Sequence, residues 1–314
     1  MMAGSNIQFF CGKLSKSYKL SYEAFLFNTE IHRRLQSKIG WREFYLLNVD
    51  KKIIFSSVFF NVDKGIAISP LKSPFGSFEI SKEVQSKDFY DFLLFIEKIL
   101  SDEGVKEIRI TNPPSLLQDN HSLLMATLSS LGYQITEAAG SAIIEVDRPQ
   151  LLEKMNAAKQ RQVKKSEKAG FAFRIINNNK LKTVYAFIHQ CRLTKNQNLS
   201  MSYVELNKTI QALPNAFVFC GVYDKRKLIA ASVCVRTRKD VLYSFYPAHD
   251  AQYDAYSPMT MLLSELYQWC YNHKINFLDL GTSMNNNQIN FSLLDYKQRV
   301  GGTLTTRLKF HKTL

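Results

Sequence analysis

The residues of this 314-residue chain best suited to chemistry gather near its end, where a buried-strand pattern breaks around one acid and a lysine-bearing helix follows. Phe277, Leu278 and Leu280 form an apolar run interrupted by Asp279, and Gly281-Thr282-Ser283 then cut it. An acid in such a strand can orient an amine or act as its base. It can equally hold the turn beyond it by a hydrogen bond, and the residues alone leave both open. Ser283 stands in that turn. The next periodic segment, 291–300, carries Lys297 and Arg299 and stops at Gly301-Gly302, as a helix end does. Two positions apart, these cations project differently from a helix and are not expected to act as a pair. A central strand, a polar loop and a cation-bearing helix are a common place for α/β proteins to bind ligands.

A second group is purely cationic. The stretch LLEKMNAAKQRQVKKSEKAG, at 151–170, holds Lys154, Lys159, Arg161, Lys164, Lys165 and Lys168 against Glu153 and Glu167. It predicts a helix whose cations either grip phosphates or form a solvated face. The formal net charge of +14 favours an anionic partner: nucleic acid, a phosphorylated or nucleotide-linked substrate, or an acidic membrane surface. His189, His249 and His273 are scattered singles, and the five cysteines (Cys11, Cys191, Cys220, Cys234, Cys270) show no ligand spacing. Neither a metal site nor thiol catalysis is expected from them. No apolar run is long enough to cross a bilayer and the N-terminus has no signal-peptide pattern, so a cytoplasmic protein with reduced thiols is expected.

The elements that must position these residues repeat. With 46% hydrophobic and 22% charged residues the chain is globular in composition and long enough for two domains. The strand–turn–strand run EFYLLNVDKKIIFSSVFFN returns as AFVFCGVYDKRKLIAASVCVR, and the strand VKEIRI returns as INFLDL. The offset stays near ~170 residues over several elements, which signals a duplicated unit. Helices are expected over EAFLFNTEIHRRLQSKIG, around Phe89 to Leu100, over SLLMATLSSLG, at 182–192, at 203–213 and after Pro258. The expected fold is α/β (α+β), with domains at 1–150 and 151–314, each a mixed, mostly antiparallel sheet flanked by helices.

That element order resembles the GCN5-related N-acetyltransferase (GNAT) fold. Two such units in tandem resemble the FemAB family, the aminoacyl-tRNA-dependent peptidoglycan ligases and their relatives. Three stretches carry the likeness: KQRQVKKSEKAGFAFRI, similar to the family's basic helix and following strand; SPMTMLLSELYQWCYNHKINFLDLGTS, similar to its long helix, strand and small-residue turn; and NFSLLDYKQRVGGTLTTRLKF, similar to its aromatic–lysine–glycine signature. The resemblance implies an N-acyltransferase that moves an acyl or aminoacyl group to an amine, with the amine attacking the carbonyl directly. It implies that Lys297 stabilises charge at the transferring carbonyl. Tyr246, in VLYSFYP, would lie where two strands splay for the donor and would protonate the leaving group, or else pack on the sheet. Arg192 and Lys195, in HQCRLTKNQ, would stand near the acceptor's anionic groups, on a cell-wall or nucleotide-linked precursor. The donor is open between acyl-CoA and aminoacyl-tRNA. Acyl-CoA binders of this fold usually carry a glycine-rich loop at a helix N-terminus, and here HDAQYDAYSPMTM has no glycine. A CoA-dependent N-acetyltransferase and a non-catalytic RNA- or anion-binding module on the same fold are the alternatives.

Overall fold

Period-two alternation and 3.6-residue stripes sort most of this chain into strands and helices. The computed structural model describes residues 6–285 and 288–314 and gathers them into two units. One comprises Met1–Ala139 together with Thr305–Leu314; the other comprises Gly140–Leu304. The division follows from strand pairing rather than from the run of sequence around residue 150. The final strand leaves the second unit and pairs antiparallel with a strand of the first, Lys309 to Thr313 against Thr111 to Glu107.

In the first unit the elements are β1 (Ile7–Cys11), β2 (Lys19–Leu20), α1 (Glu30–Gln36), β3 (Trp41–Asn48), β4 (Ile53–Asp63), β5 (Ile66–Ser69), β6 (Glu79–Ile80), α2 (Ser86–Asp102), β7 (Glu107–Thr111) and α3 (His121–Ser130). Strands run in the order β1-β3-β4-β5-β7 and then the C-terminal strand. Pairing along this order is antiparallel except between β5 and β7. The hairpin expected around Asn48 to Lys52 joins β3 and β4. On α2 the stripe Phe89, Phe92, Leu93, Ile96 and Leu100 is buried with Phe44, Val58 and Phe60 of the sheet. The first expected helix is shorter than its pattern. A 3-10 turn at Leu26–Asn28 precedes it, and extended Thr29 caps α1 by accepting from His32 N.

The second unit begins in β8 (Gln134–Glu145), which spans the division. It continues through α4 (Ala157–Lys168), β9 (Ala172–Ile176), α5 (Leu181–Leu193), α6 (Tyr203–Ala212), β10 (Phe217–Asp224), β11 (Lys227–Arg238), β12 (Val241–His249), α7 (Pro258–Asn272), β13 (Phe277–Thr282), β14 (Met284–Asn285), β15 (Gln288–Ile289) and α8 (Phe291–Arg299), to the start of β16 (Thr303–Thr313). The sheet order is β9-β10-β11-β12-β13-β8, with only β12 and β13 parallel. The apolar face of α7, including Leu262, Leu266 and Cys270, is buried with Cys220, Cys234 and Leu278 of the sheet and Val163 of α4. Within each unit the strands are mixed and mostly antiparallel and are flanked by helices, the α/β architecture expected.

Burial in the first unit has a measurable consequence. His32 packs edge-on to Phe27, with ring centroids 5.0 Å apart, and burial pulls its pKa from 6.5 to about 4. The unfolded chain takes up this proton near 6.5, so stability is lost as pH falls from about 6.5 towards 4. The slope should reach at most about 1.4 kcal/mol per pH unit. Denaturant titrations of the wild type and His32→Phe between pH 7 and 4 measure it; identical slopes in the two proteins would refute this assignment.

Candidate functional site

The site forms where β12 and β13 part. Their parallel ladder joins Val241, Leu242 and Tyr243 to Phe277, Leu278 and Asp279 and goes no further. The first unit's parallel pair, by contrast, stays in register along all of β5. What turns β13 aside is a bulge: its register with β8 slips between Asp279 and Thr282, and Gly281 has φ +71°. Buried Asp279 secures that bulge by accepting from Gly281 N at 2.7 Å. A side chain at 281 would be strained by this φ, and its Cβ would stand 3.0 Å from the Tyr243 ring. The Gly281 carbonyl accepts from Ser141 Oγ at 2.9 Å and from Lys297 Nζ at 2.7 Å.

Lys297 is delivered by α8, a helix of nine residues defined at both ends. Asn290 caps its start, accepting from Leu293 N at 3.0 Å, and Asn290 N donates to Ser283 O at 2.8 Å. At the other end Gly302 N donates to Lys297 O and Gly301 N to Gln298 O, both at 2.9 Å, with Gly301 at φ +99°. This pair of bonds is a Schellman stop, and it explains the spacing from Lys297 to the two glycines. A Cβ on Gly302 would lie 2.7 Å from Lys297 O. The lysine is only 5% exposed, and its Nζ also donates to Thr282 O at 2.9 Å. A buried ammonium needs such acceptors, and here they fix where its charge sits.

Around this point lies a cavity of about 560 Å³. Along β12 the half-buried residues Tyr243, Phe245, Pro247 and His249 alternate with buried Ser244, Tyr246 and Ala248; the half-buried set lines the cavity together with Ser244 and Ala248, and Tyr246 does not. A strand advances ~3.3 Å per residue, so Tyr243 and His249 lie ~20 Å apart along β12. Lys297 stands near the Tyr243 end. Towards the other end Arg192 donates to Pro247 O at 3.0 Å and to Gln197 Oε1 at 2.7 Å, and Lys195 joins it in the lining. His249 Nε2 is 2.7 Å from Asp254 Oδ1. Burial is the main cause lowering the His249 pKa; Lys195 adds to the shift and Asp254 opposes it. Among the described lining residues there is no Asp or Glu, so the cavity favours an anion.

Of the residues singled out by sequence, Lys297, Arg192 and Lys195 share this cavity. Tyr246, Asp279 and Ser283 do not line it. Tyr246 is buried, its hydroxyl 2.6 Å from Ser200 Oγ and accepting from Met201 N at 3.0 Å. Burial raises its pKa, and it ties a loop rather than facing the cleft. Ser283 is fully buried, its backbone N donating to Gly140 O at 2.7 Å. On the basic helix, Lys165 donates to Ala255 O at 2.7 Å and Lys159 to Gln162 Oε1 at 2.9 Å, with the Lys159 Nζ 4.6 Å from the Tyr296 ring centre. Arg161 and Lys164 are exposed. The tyrosine at the head of the cavity is Tyr243, three residues before the expected one. Strand alternation places 243 and 246 on opposite faces, but only the pairing with Asp279 shows which face opens.

Residues 153–298 match the family model described as the acetyltransferase (GNAT) domain. No curated protein gives a significant sequence match. Among solved structures the chain is similar to FemX, with TM-score 0.69, 12% identity and 92% of each chain covered. It is similar to L-PGS from Bacillus licheniformis, with TM-score 0.57, 13% identity and 91% of this chain and 88% of that one covered. A tandem GNAT protein from the clavulanic acid biosynthesis pathway aligns with TM-score 0.51 and 10% identity, covering 87% of this chain and 82% of that one. At such identities the likeness is one of fold, and that fold is a tandem, FemAB-like GNAT arrangement.

Replacing Tyr246 by Phe leaves Met201 N–H without its acceptor and should cost ~1 kcal/mol. Amide exchange at Met201 and thermal unfolding check this; unchanged exchange would show that the loop is held by other contacts.

Proposed function

We propose that this protein is an N-acyltransferase that transfers an acyl or aminoacyl group to an amine in the second unit's cavity. The observation that carries this reading is the Lys297 ammonium, fixed on the Gly281 and Thr282 carbonyls beside the opening of β12 from β13. An amine attacking an acyl carbonyl generates an oxyanion, and a cation already fixed in a sheltered site stabilises it without reorganising at the moment of reaction. Positioning the two substrates along one cavity supplies the remaining advantage. Tyr243, next to Gly281 and lining the same cavity, is placed to hydrogen-bond or protonate the leaving group. No covalent enzyme intermediate is required: the amine–carbonyl bond forms, the bond to the leaving oxygen or sulfur breaks, and the proton lost by the amine balances the one gained by the leaving group.

The segment between β12 and α7 supports aminoacyl-tRNA over acyl-CoA as the donor. A pyrophosphate cradle needs available N–H groups at the helix start. Here Gln252 N donates to Asp250 Oδ1, Tyr253 N to Asp250 O and Ser257 N to Asp254 O, while Pro258 has no N–H to offer. The exposed Arg161, Lys164 and Lys168 of α4 are then available for tRNA phosphates, the use that a non-catalytic RNA-binding module would also make of them. The acceptor in this reading is an anionic amine such as a cell-wall or nucleotide-linked precursor.

Lys297→Met keeps the bulk of the side chain and removes the charge. It should lower kcat by ~10²-fold or more at little changed KM, with thermal unfolding run alongside to confirm folding. Undiminished turnover in a folded Lys297→Met protein would remove the lysine from the mechanism. Calorimetry with acetyl-CoA and with a charged tRNA separates the donors: tight acetyl-CoA binding would overturn the aminoacyl-tRNA form of the proposal.

A further inference from the structure

A second cavity of about 360 Å³ lies in the same unit, between α5, the start of β11 and the segment after β12. Phe187, Leu228 and Ala251 supply apolar walls, and Gln190 and Gln252 bring amides. Its two charged residues neutralise each other, Lys227 Nζ standing 3.0 Å from Asp250 Oδ2. A charged guest would have to break that pair, whereas an uncharged one leaves it intact. The volume is within the range of small-molecule sites.

This pocket meets the first cavity at two places. Cys191 lines both. Near the end of α5, Arg192 and Lys195 line the first cavity and Thr194 the second; at the end of β12, His249 lines the first and Asp250 the second. Burial pushes the Cys191 thiol pKa up, so this residue acts as a neutral wall. The two cavities therefore differ in character but share a border: one side carries cations without acids, the other is apolar and balanced in charge.

We propose that the two cavities form one bipartite site for a phosphate monoester of a short, uncharged, mainly apolar group. The phosphate is held by Arg192 and Lys195, whose two charges match a dianion, and the organic group sits among Phe187, Leu228 and Ala251. This rests on the first cavity being a substrate site, but not on any transfer step. It also sets a length. Pro247, whose carbonyl accepts from Arg192, lies four strand residues from Tyr243, so the phosphate binds ~13 Å along β12 from the reaction centre. The one organic group of the monoester extends from the phosphate into the second cavity, away from Lys297.

Equilibrium binding of inorganic phosphate and n-hexyl phosphate, followed by the methyl resonances of Leu228 and Ala251, tests this without any turnover. Hexyl phosphate should bind at least about tenfold more tightly than phosphate, because its alkyl chain leaves water for the apolar walls. Ala251→Leu, which fills the pocket from an exposed position, should abolish that gain while leaving phosphate affinity intact. Phe187→Ala should reduce the gain, and Arg192→Gln should weaken both ligands. Equal affinities in the wild type, or a tenfold gain surviving both pocket variants, would overturn the proposal. So would binding to phosphatidic acid vesicles without binding of the monomeric ester. Because the readout is binding, a protein inactive in every transfer assay could still pass, and an active one could still fail.

Discussion

The second unit depends on one contact: an ammonium at the end of α8 held by two carbonyls at the end of β13. For those carbonyls to point at Lys297, β13 must bulge at Gly281, and the bulge is secured by Asp279 beneath it. For the ammonium to reach them, α8 must start at Asn290 and stop one turn after Lys297, which the Asn cap and the Gly301-Gly302 stop enforce. The same bend that aims the carbonyls carries β13 away from β12 and opens the cavity. A buried cation, a strand bulge and a helix stop are thus parts of one arrangement, and altering any of them disturbs the other two.

Much of this was legible in the residues. Asp279 breaking an apolar run, the small-residue turn and the double glycine all belong to the bulge and helix stop described above. The repeated hairpins located strands in both units, because turn chemistry and period-two alternation are local properties. What stayed hidden was set by pairing between distant segments. Tyr243 and Tyr246 look equivalent along the strand; only the partner strand decides that 243 borders the cavity while 246 fastens Met201. Asp279 carried two readings, and the hydrogen bond to Gly281 N is the one visible in the geometry. Likewise, no local feature announces that the last strand returns to the first unit's sheet.

Charge tells a similar story. The basic run on α4 dominates the sequence, yet Lys165 donates to Ala255 O and Ser166 to Tyr256 O, so part of this helix clamps the segment that leads into α7. The cations facing the cavity come instead from α5, the loop after it and α8, where they are isolated in sequence and converge only in three dimensions. Density of charge along a chain is a poor guide to field strength in a cleft, because burial and neighbouring acids decide the latter.

The returning C-terminal strand bears on biosynthesis. Residues 309–313 pair with β7 in the first unit, although the whole second unit is translated between β7 and that strand. During synthesis the β7 edge of the first unit therefore stays unpaired until residues 309–313 have followed the second unit out, whereas an early-folding domain would ordinarily already be finished. An open edge is a site for wrong pairing. The order of synthesis makes the first unit the last to be completed, and chaperone contact during translation would fall on β7.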